Sequence, residues 1–164
     1  MRLGVLCLAT WLAISGYPQT PPEIRLDSLQ AFLFNGKTGE FSTDVLRKPR
    51  PELGNVPVGE FASNATFIKV KIFIGSAPKP KTLRVRLVAI ESVSAKFAAK
   101  QSATTNRVLL DRSVPLGTVN SDGFTFAGFW IPDTGCREIR LRAQTTGGPV
   151  LSTLTEVLPF TCYE

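Results

Sequence analysis

Histidine is absent from the sequence, and cysteine and methionine are scarce. The 164 residues include no histidine, three cysteines and one methionine. Without histidine, the Ser–His and Cys–His schemes of nucleophilic catalysis are excluded. No glycine-rich loop follows a predicted strand and opens a helix, so nothing in the sequence indicates a nucleotide cofactor. We therefore predict that the protein uses no cofactor.

Long hydrophobic runs are also rare, and the one present lies at the beginning of the chain. Met1 and Arg2 precede an apolar run at residues 3–14, and Ala-Ile-Ser at residues 13–15 supplies small residues for cleavage. This run is too short to span a bilayer as a helix. The pattern predicts a signal peptide at residues 1–16, a flexible leader at 17–22 and a single domain at 23–164. We therefore expect an exported protein, periplasmic or extracellular, with no transmembrane segment.

The few cysteines fit an exported protein. Cys7 leaves with the predicted signal peptide, and Cys136 and Cys162 remain. An even pair of cysteines in an exported chain predicts a disulfide bond. Such a bond would close a loop of about 27 residues and contribute roughly 3 kcal/mol. Two thiolates without histidine do not fill the tetrahedral shell of zinc, so no metal site is predicted.

Alternating apolar and polar residues predict strands, and turn-forming residues separate most of them. At residues 66–74, for example, Ile68, Val70, Ile72 and Ile74 share one side of the predicted strand. The predicted strands lie at residues 23–34, 66–74, 82–91, 107–114 and 124–131, with two more in a hairpin at 136–162. Residues 92–106 predict a loop or a weak edge strand, and 41–60 a long loop. About seven short strands without a long helix predict an all-β, antiparallel two-sheet sandwich.

The last hairpin permits a specific prediction of register. A turn centred on Pro149 places three kinds of complementary residue opposite each other. The predicted pairs are Cys136 with Cys162, Leu141 with Val157, and Arg142 with Glu156. A slip of one residue would send every side chain to the wrong face, so the agreement favours this register.

Residues 129–135, Phe-Trp-Ile-Pro-Asp-Thr-Gly, lead into a predicted strand that begins at Ile139. This segment resembles the corner before the penultimate strand of immunoglobulin-like and fibronectin type III-like modules of secreted proteins. The resemblance implies an immunoglobulin-like sandwich with a binding or spacer role. The predicted disulfide departs from true immunoglobulin domains, because it joins two strands of one hairpin and does not bridge the sheets. No functional residue is therefore carried over.

The tripeptide Asp133-Thr134-Gly135 is also the catalytic motif of aspartic proteases. Such proteases need a long stretch of fold after the motif, and here only residues 136–164 follow it. Pro132 precedes the motif, and Pro-Asp-Thr-Gly has the composition of a type I turn, which we predict here. A hydrolase that uses paired carboxylates is the remaining catalytic alternative, but the thirteen acidic residues are scattered without an evident pair.

Basic residues form the most suggestive pattern. The net charge is +6, which favours anionic partners. Lysines and arginines recur two residues apart on the solvent side of three predicted strands, and they would form one stripe if those strands share a sheet. The candidate binding face comprises Lys69, Lys71, Arg84, Arg86 and Arg140, while Arg142 pairs with Glu156 in the predicted hairpin register. The candidate binding loop comprises Arg47, Lys48 and Arg50.

Taken together, these patterns predict an exported, non-catalytic module that binds a protein or a glycan or has a structural role. An alternative is a module that binds an anionic polymer, acidic glycan or nucleic acid, through the basic strand face. A solvated charged face is the simpler interpretation of the same residues. Trp130 is predicted to pack in the core near the disulfide, with a ligand platform as the alternative. Asn64 begins a glycosylation sequon, Asn-Ala-Thr.

Overall fold

The computed structural model describes residues 23–54, 63–75, 79–92, 106–135, 137–148 and 151–161. All regular elements in these residues are β-strands. This described part of the chain contains no helix of the length and hydrophobicity needed to cross a membrane. The strands are β1 (Arg25–Phe34), β2 (Leu53–Gly54), β3 (Ala65–Phe73), β4 (Arg84–Ser92), β5 (Asn106–Pro115), β6 (Phe124–Pro132), β7 (Ile139–Thr146), β8 (Thr153–Leu158) and β9 (Phe160–Thr161).

Several predictions concern residues outside this description. The predicted signal peptide (1–16), the leader (17–22) and most of the predicted loop at 92–106 lie there. Cys136 and Cys162 lie there too, so their disulfide bond stays a prediction.

Seven strands form two antiparallel sheets. The order is β1-β3-β6 in the three-stranded sheet and β5-β4-β7-β8 in the four-stranded sheet. Strand β1 approaches β7 and β8 across the interior, whereas β6 approaches β4 and β5. The inner faces thus pack together as a two-sheet sandwich, which confirms the predicted fold class.

The alternation of each strand explains which residues enter the core. In β3, Ile68, Val70 and Ile72 are fully buried, while the intervening lysines are half-buried on the outer face. Strand β4 repeats the pattern with buried Val85, Leu87 and Ala89 between more exposed neighbours. The same buried cluster includes Phe129 and Ile131 of β6 and Ile139 and Leu141 of β7. Apolar residues two apart therefore fix which side of each strand faces the partner sheet.

Part of the predicted 41–60 loop protects the free edge of β1. The Ser42 N–H donates to the Leu33 carbonyl, and the Val45 N–H donates to the Ala31 carbonyl, each at 2.9 Å. Asp44 Oδ1 accepts the Ala31 N–H at 3.0 Å. Because these bonds occupy the backbone groups of Ala31 and Leu33, this part of the edge is not open to another strand. Further along the loop, β2 pairs in parallel with β9.

The register of the closing hairpin differs from the prediction by one residue. Leu141 lies opposite Glu156, and Arg142 lies opposite Thr155. The predicted pairs of Leu141 with Val157 and Arg142 with Glu156 are therefore wrong. The Arg50 guanidinium binds Glu156 instead, at 2.7 Å. A carboxylate can form an ion pair with a cation from a distant loop as well as with one across the hairpin. The opposite charges of Arg142 and Glu156 therefore did not identify the register.

Candidate binding faces

The basic residues of the candidate face are divided between the two sheets. Lys69 and Lys71 lie on β3 of the three-stranded sheet, whereas Arg84, Arg86 and Arg140 lie on β4 and β7 of the four-stranded sheet. The condition for one continuous stripe is not met. Each set instead belongs to a separate outer face of the sandwich, with different surroundings.

The outer face of the three-stranded sheet is dominated by aromatic rings. Because β1, β3 and β6 are in register, Phe32 lies opposite Phe67, which lies opposite Trp130. Phe73 lies opposite Phe124 in the same way. We call this surface the aromatic face; it comprises Phe32, Phe34, Phe41, Phe67, Phe73, Phe124, Phe126 and Trp130, with Lys69 and Lys71 between the rings.

At one end of the aromatic face, three rings pack around Trp130. Its ring centroid lies 5.2 Å from that of Phe34, 6.1 Å from Phe41 and 6.4 Å from Phe67, with interplanar angles of 65°, 88° and 47°. These are the edge-on and tilted contacts that aromatic pairs favour. Trp130 is nevertheless 41% exposed and Phe41 50% exposed. The prediction that Trp130 packs in the core is wrong, because Trp130 lies on the outer side of β6.

The glycine in β6 explains how Phe67 is placed. A Cβ atom added to Gly128 would come within 2.7 Å of the Phe67 ring. The ring therefore occupies the space that a side chain at Gly128 would need, while Gly128 itself stays exposed. Aromatic cover of a strand glycine is a recognised device of β-sheets. Phe67 consequently lies close to Gly128 and packs against Phe41 and Trp130 at this end of the aromatic face.

Lys69 and Lys71 differ in how far their charges are satisfied. Lys71 Nζ lies 3.1 Å from Asp27 Oδ2 and 3.8 Å from the centroid of the Phe124 ring. Lys69 Nζ lies 5.7 Å from the Phe32 centroid and 5.5 Å from the Phe126 centroid. Both rings are within cation–π range. No carboxylate of the described residues forms an ion pair with Lys69, so its ammonium group is held by rings alone.

On the four-stranded sheet, the arginines of β4 are committed to β5. Arg86 Nε and Nη2 donate to the two carboxylate oxygens of Asp111 at 2.7 and 2.5 Å. This hydrogen-bonded pair lowers the pKa of Asp111 below its ordinary value and raises the pKa of Arg86. Arg84 donates to the Ser113 hydroxyl and carbonyl, each at 3.1 Å. These contacts fasten the edge strand β5 to β4.

The arginines of β7 border a groove that runs over β4, β7 and β8. Its volume is about 530 Å³, and half-buried Val88, Ile90 and Val157 supply aliphatic surface. Arg140 Nε lies 3.3 Å from Glu138 Oε1. Arg142 also lines the groove, and no described residue forms an ion pair or a hydrogen bond with its guanidinium. We call this surface the β7 groove.

The candidate binding loop contributes one fixed residue and two exposed ones. Arg50 Nη2 binds Glu156 at 2.7 Å, and Arg50 Nη1 donates to the Val157 carbonyl at 3.3 Å. Arg50 therefore fastens the loop to β8. Arg47 and Lys48 are exposed and make no ion pair within the described part of the chain.

Every residue of Asp133-Thr134-Gly135 has a structural contact. Asp133 has φ 56°, so the predicted type I turn, which needs negative φ at its central residues, is wrong. Its carboxylate binds Arg107 at 2.9 Å. Thr134 is buried, and its hydroxyl lies 2.8 Å from that of Thr66. A Cβ on Gly135 would come within 2.8 Å of the Ser63 carbonyl oxygen, so only glycine fits there.

A buried carboxylate lies beside this corner. The Glu91 side chain is 7% exposed, and its Oε2 lies 3.0 Å from Arg107 Nε and 3.8 Å from Arg137 Nη1. The hydrogen bond to Asp133 and the charge of Glu91 raise the pKa of Arg107. Arg107 therefore links β4, β5 and the β6–β7 corner through two carboxylates.

An aromatic platform at Trp130 was predicted only as the alternative to core packing, and the contributions of Phe34 and Phe41 were not predicted. Alternate phenylalanines in residues 124–130 were a usable signal, since Phe124, Phe126 and Trp130 share one side of a strand. The other side carries Phe129 and Ile131, so hydrophobicity alone did not identify the buried side. No protein-family model matches this chain, and no curated protein matches it in sequence.

Proposed function

We propose that this chain is an exported, non-catalytic β-sandwich module of immunoglobulin-like type that binds a protein partner through the aromatic face. The partner presents a carboxylate to Lys69 of that face. In this proposal Cys136 and Cys162 form a disulfide bond that joins the ends of the closing hairpin. The observation that carries the proposal is the exposed aromatic surface around Trp130.

The composition of the aromatic face supports a protein interface. Phe41, Phe126 and Trp130 are 50%, 47% and 41% exposed. Exposed apolar patches with polar neighbours are typical of interaction sites. Aromatic residues are enriched at protein interfaces, and tryptophan is among the commonest hot-spot residues. Phe126 and Trp130 lie on the same side of the edge strand β6, so one partner surface can contact both.

The tilt of the rings favours a protein partner over a nucleic acid whose bases stack on aromatic rings. Bases of single-stranded nucleic acid stack on ring faces. Around Trp130 the ring planes cross at 47° to 88°, so they do not offer a series of parallel platforms. Such an uneven aromatic surface suits the apolar side chains of a protein partner better than a series of stacked bases.

The charge of the aromatic face indicates the chemistry of the partner. Lys69 occupies the middle strand and has no carboxylate partner among the described residues. A carboxylate of the partner would supply the missing ion pair. A second copy of this chain fits poorly, because a two-fold contact through this face would bring the two Lys69 side chains towards each other.

The strand order supports the immunoglobulin-like part of the proposal. The chain passes from β3 in one sheet to β4 in the other, returns between β5 and β6, and crosses again to β7. Such crossing connections are typical of Greek-key sandwiches. The contacts of Asp133, Thr134 and Gly135 support a non-catalytic role, since each residue of the protease-like tripeptide has a structural explanation.

A second candidate is a module that binds an anionic polymer, which the net charge of +6 favours. Such binding would depend on the total positive charge and weaken steeply as salt rises. It would depend little on Trp130. The two candidates therefore differ in which substitutions abolish binding.

The test compares capture of partners by the wild-type protein and three variants, followed by titration with the purified, identified partner. We expect Trp130→Ala and Lys69→Glu each to weaken binding by roughly tenfold or more. Leu151→Ala, an exposed apolar residue outside the aromatic face, is the matched control and should leave affinity unchanged. Unchanged affinity of Trp130→Ala would contradict the proposal. If the protein binds heparin, and only Lys69→Glu weakens that binding, the polymer candidate is favoured.

A further inference from the structure

The β7 groove differs chemically from the aromatic face on the opposite side of the sandwich. Its floor is aliphatic, with Val88 and Ile90 from β4 and Val157 from β8. Its volume of about 530 Å³ is within the range of small-molecule sites. The groove thus has the size of a small-molecule site and a partly apolar lining.

The register of the hairpin places one uncommitted guanidinium in this groove. Arg142 lies opposite Val88 on one side and Thr155 on the other. Had the hairpin followed the predicted register, Glu156 would have faced Arg142. In the structure Glu156 is instead neutralised by Arg50 at 2.7 Å.

The neighbouring arginines are already engaged. The guanidinium of Arg86 donates two hydrogen bonds to the Asp111 carboxylate. Arg140 is 3.3 Å from the Glu138 carboxylate. Among the described residues that line it, the groove therefore offers one cation without an ion-pair or hydrogen-bond partner, Arg142, beside aliphatic surface. A single free guanidinium matches a monoanion, and its paired N–H groups suit the two oxygens of a carboxylate.

We propose that the β7 groove binds a small aliphatic carboxylate, with its carboxylate on Arg142 and its hydrocarbon chain over Val88, Ile90 and Val157. The hydrocarbon chain gains from leaving water, at about 0.8 kcal/mol for each fully buried CH₂ group. Thr155, opposite Arg142, provides a hydroxyl beside the same carboxylate position. This site is independent of the proposed protein-binding face, because the two lie on different sheets.

Octanoate is the probe, and octanamide is the matched neutral compound. We expect octanoate to shift the backbone amide signals of Val88, Arg142 and Thr155 saturably in NMR titrations of the full protein. Octanamide should bind roughly tenfold or more weakly, because it lacks the charge-assisted hydrogen bonds to Arg142. Equal binding of the two compounds would overturn the proposal.

Two substitutions separate the specific contact from general electrostatics. Arg142→Gln and Arg112→Gln each remove one positive charge from an exposed arginine of the same sheet, and Arg112 lies outside the groove. We expect Arg142→Gln to weaken octanoate binding by roughly 10- to 100-fold and Arg112→Gln to leave it unchanged. Equal loss in both variants would overturn the proposal.

The apolar contact is tested by Val157→Thr, which keeps the shape of the side chain but makes it polar. This variant should weaken octanoate and octanamide to a similar extent, since both place the same chain on the floor. Thermal melts establish that each variant is folded. Signal shifts confined to the Lys69 and Phe32 region, or the absence of any saturable shift, would also overturn the proposal.

Discussion

Gly147 provides a quantitative test of how the closing hairpin is fixed. It follows β7 with φ 73°, and a Cβ added there would overlap the carbonyl oxygen of Thr82. The Thr82 hydroxyl in turn donates to the Gly147 carbonyl at 2.6 Å. The turn is therefore packed directly against the chain that enters β4, and Gly147→Ala would push backbone against backbone.

The expected cost can be separated into two parts by comparison with Gly39. Gly39 has φ 77° but no atom within 4 Å of an added Cβ. Gly39→Ala should cost only the left-handed conformation, roughly 1–2 kcal/mol. Gly147→Ala adds an overlap that requires backbone movement, for which roughly 1–3 kcal/mol more is expected. The total for Gly147→Ala is therefore about 2–5 kcal/mol.

Urea denaturation measures both values, provided that the dependence on urea concentration is the same in both variants. A free energy of unfolding for Gly147→Ala that falls at least about 1 kcal/mol below that of Gly39→Ala would support the packed turn. Equal losses in the two variants would refute the reasoning, because the close approach to Thr82 would then have no energetic effect.

Three further predictions follow from the core, the cysteines and the edge strand. Ile68→Ala, in the buried face of β3, should lower the free energy of unfolding in urea by roughly 2–5 kcal/mol, whereas exposed Val108→Ala should change it by less than about 0.5 kcal/mol; similar losses would contradict the assigned core. Cys136→Ser should lower the melting temperature by several degrees under oxidising conditions, from a disulfide worth roughly 3 kcal/mol; no change would mean that the cysteines are not bonded. Asp111 has a folded-state pKa below its unfolded value, so its stabilising effect is present above pH about 4 and is lost as pH falls through the lower folded-state pKa. Melting temperatures measured down this pH range should therefore fall more in the wild type than in Asp111→Asn, and parallel curves would refute the assignment.

Local alternation was sufficient to predict the seven strands of the two main sheets and much of the core, whereas the short strands β2 and β9 were not predicted. Ile68, Val70 and Ile72 were predicted on one side of their strand, and all three are buried. Arg84 and Arg86 were predicted on the solvent side of theirs, and both are exposed. These predictions succeed because a strand with apolar residues on one side only has one favourable orientation.

The arrangement of strands could not be obtained in the same way. Alternation shows which residues share a face, but it does not show which sheet the strand joins. Lys69 and Arg86 are both basic residues between apolar residues of an alternating strand. They nevertheless lie on opposite outer faces, because the chain crosses between the sheets after β3.

The position of Trp130 and the hairpin register depended on tertiary contacts. Both sides of β6 carry large apolar residues, and the partner sheet decides which side is buried. Glu156 meets Arg50, a residue distant in sequence, so the local match with Arg142 gave the wrong register. The free Arg142 of the β7 groove is a direct result of that difference.

Site-specific photo-crosslinking can show whether a protein partner contacts the aromatic face. A benzophenone amino acid replaces Phe126 on the aromatic face in one protein and Leu151, which is exposed outside that face, in a control. We predict a crosslink to one protein partner from position 126, reduced by Lys69→Glu in the same chain, and no crosslink to that partner from position 151. Equal crosslinking from both positions, or none from position 126, would contradict the assignment of the aromatic face as the binding surface.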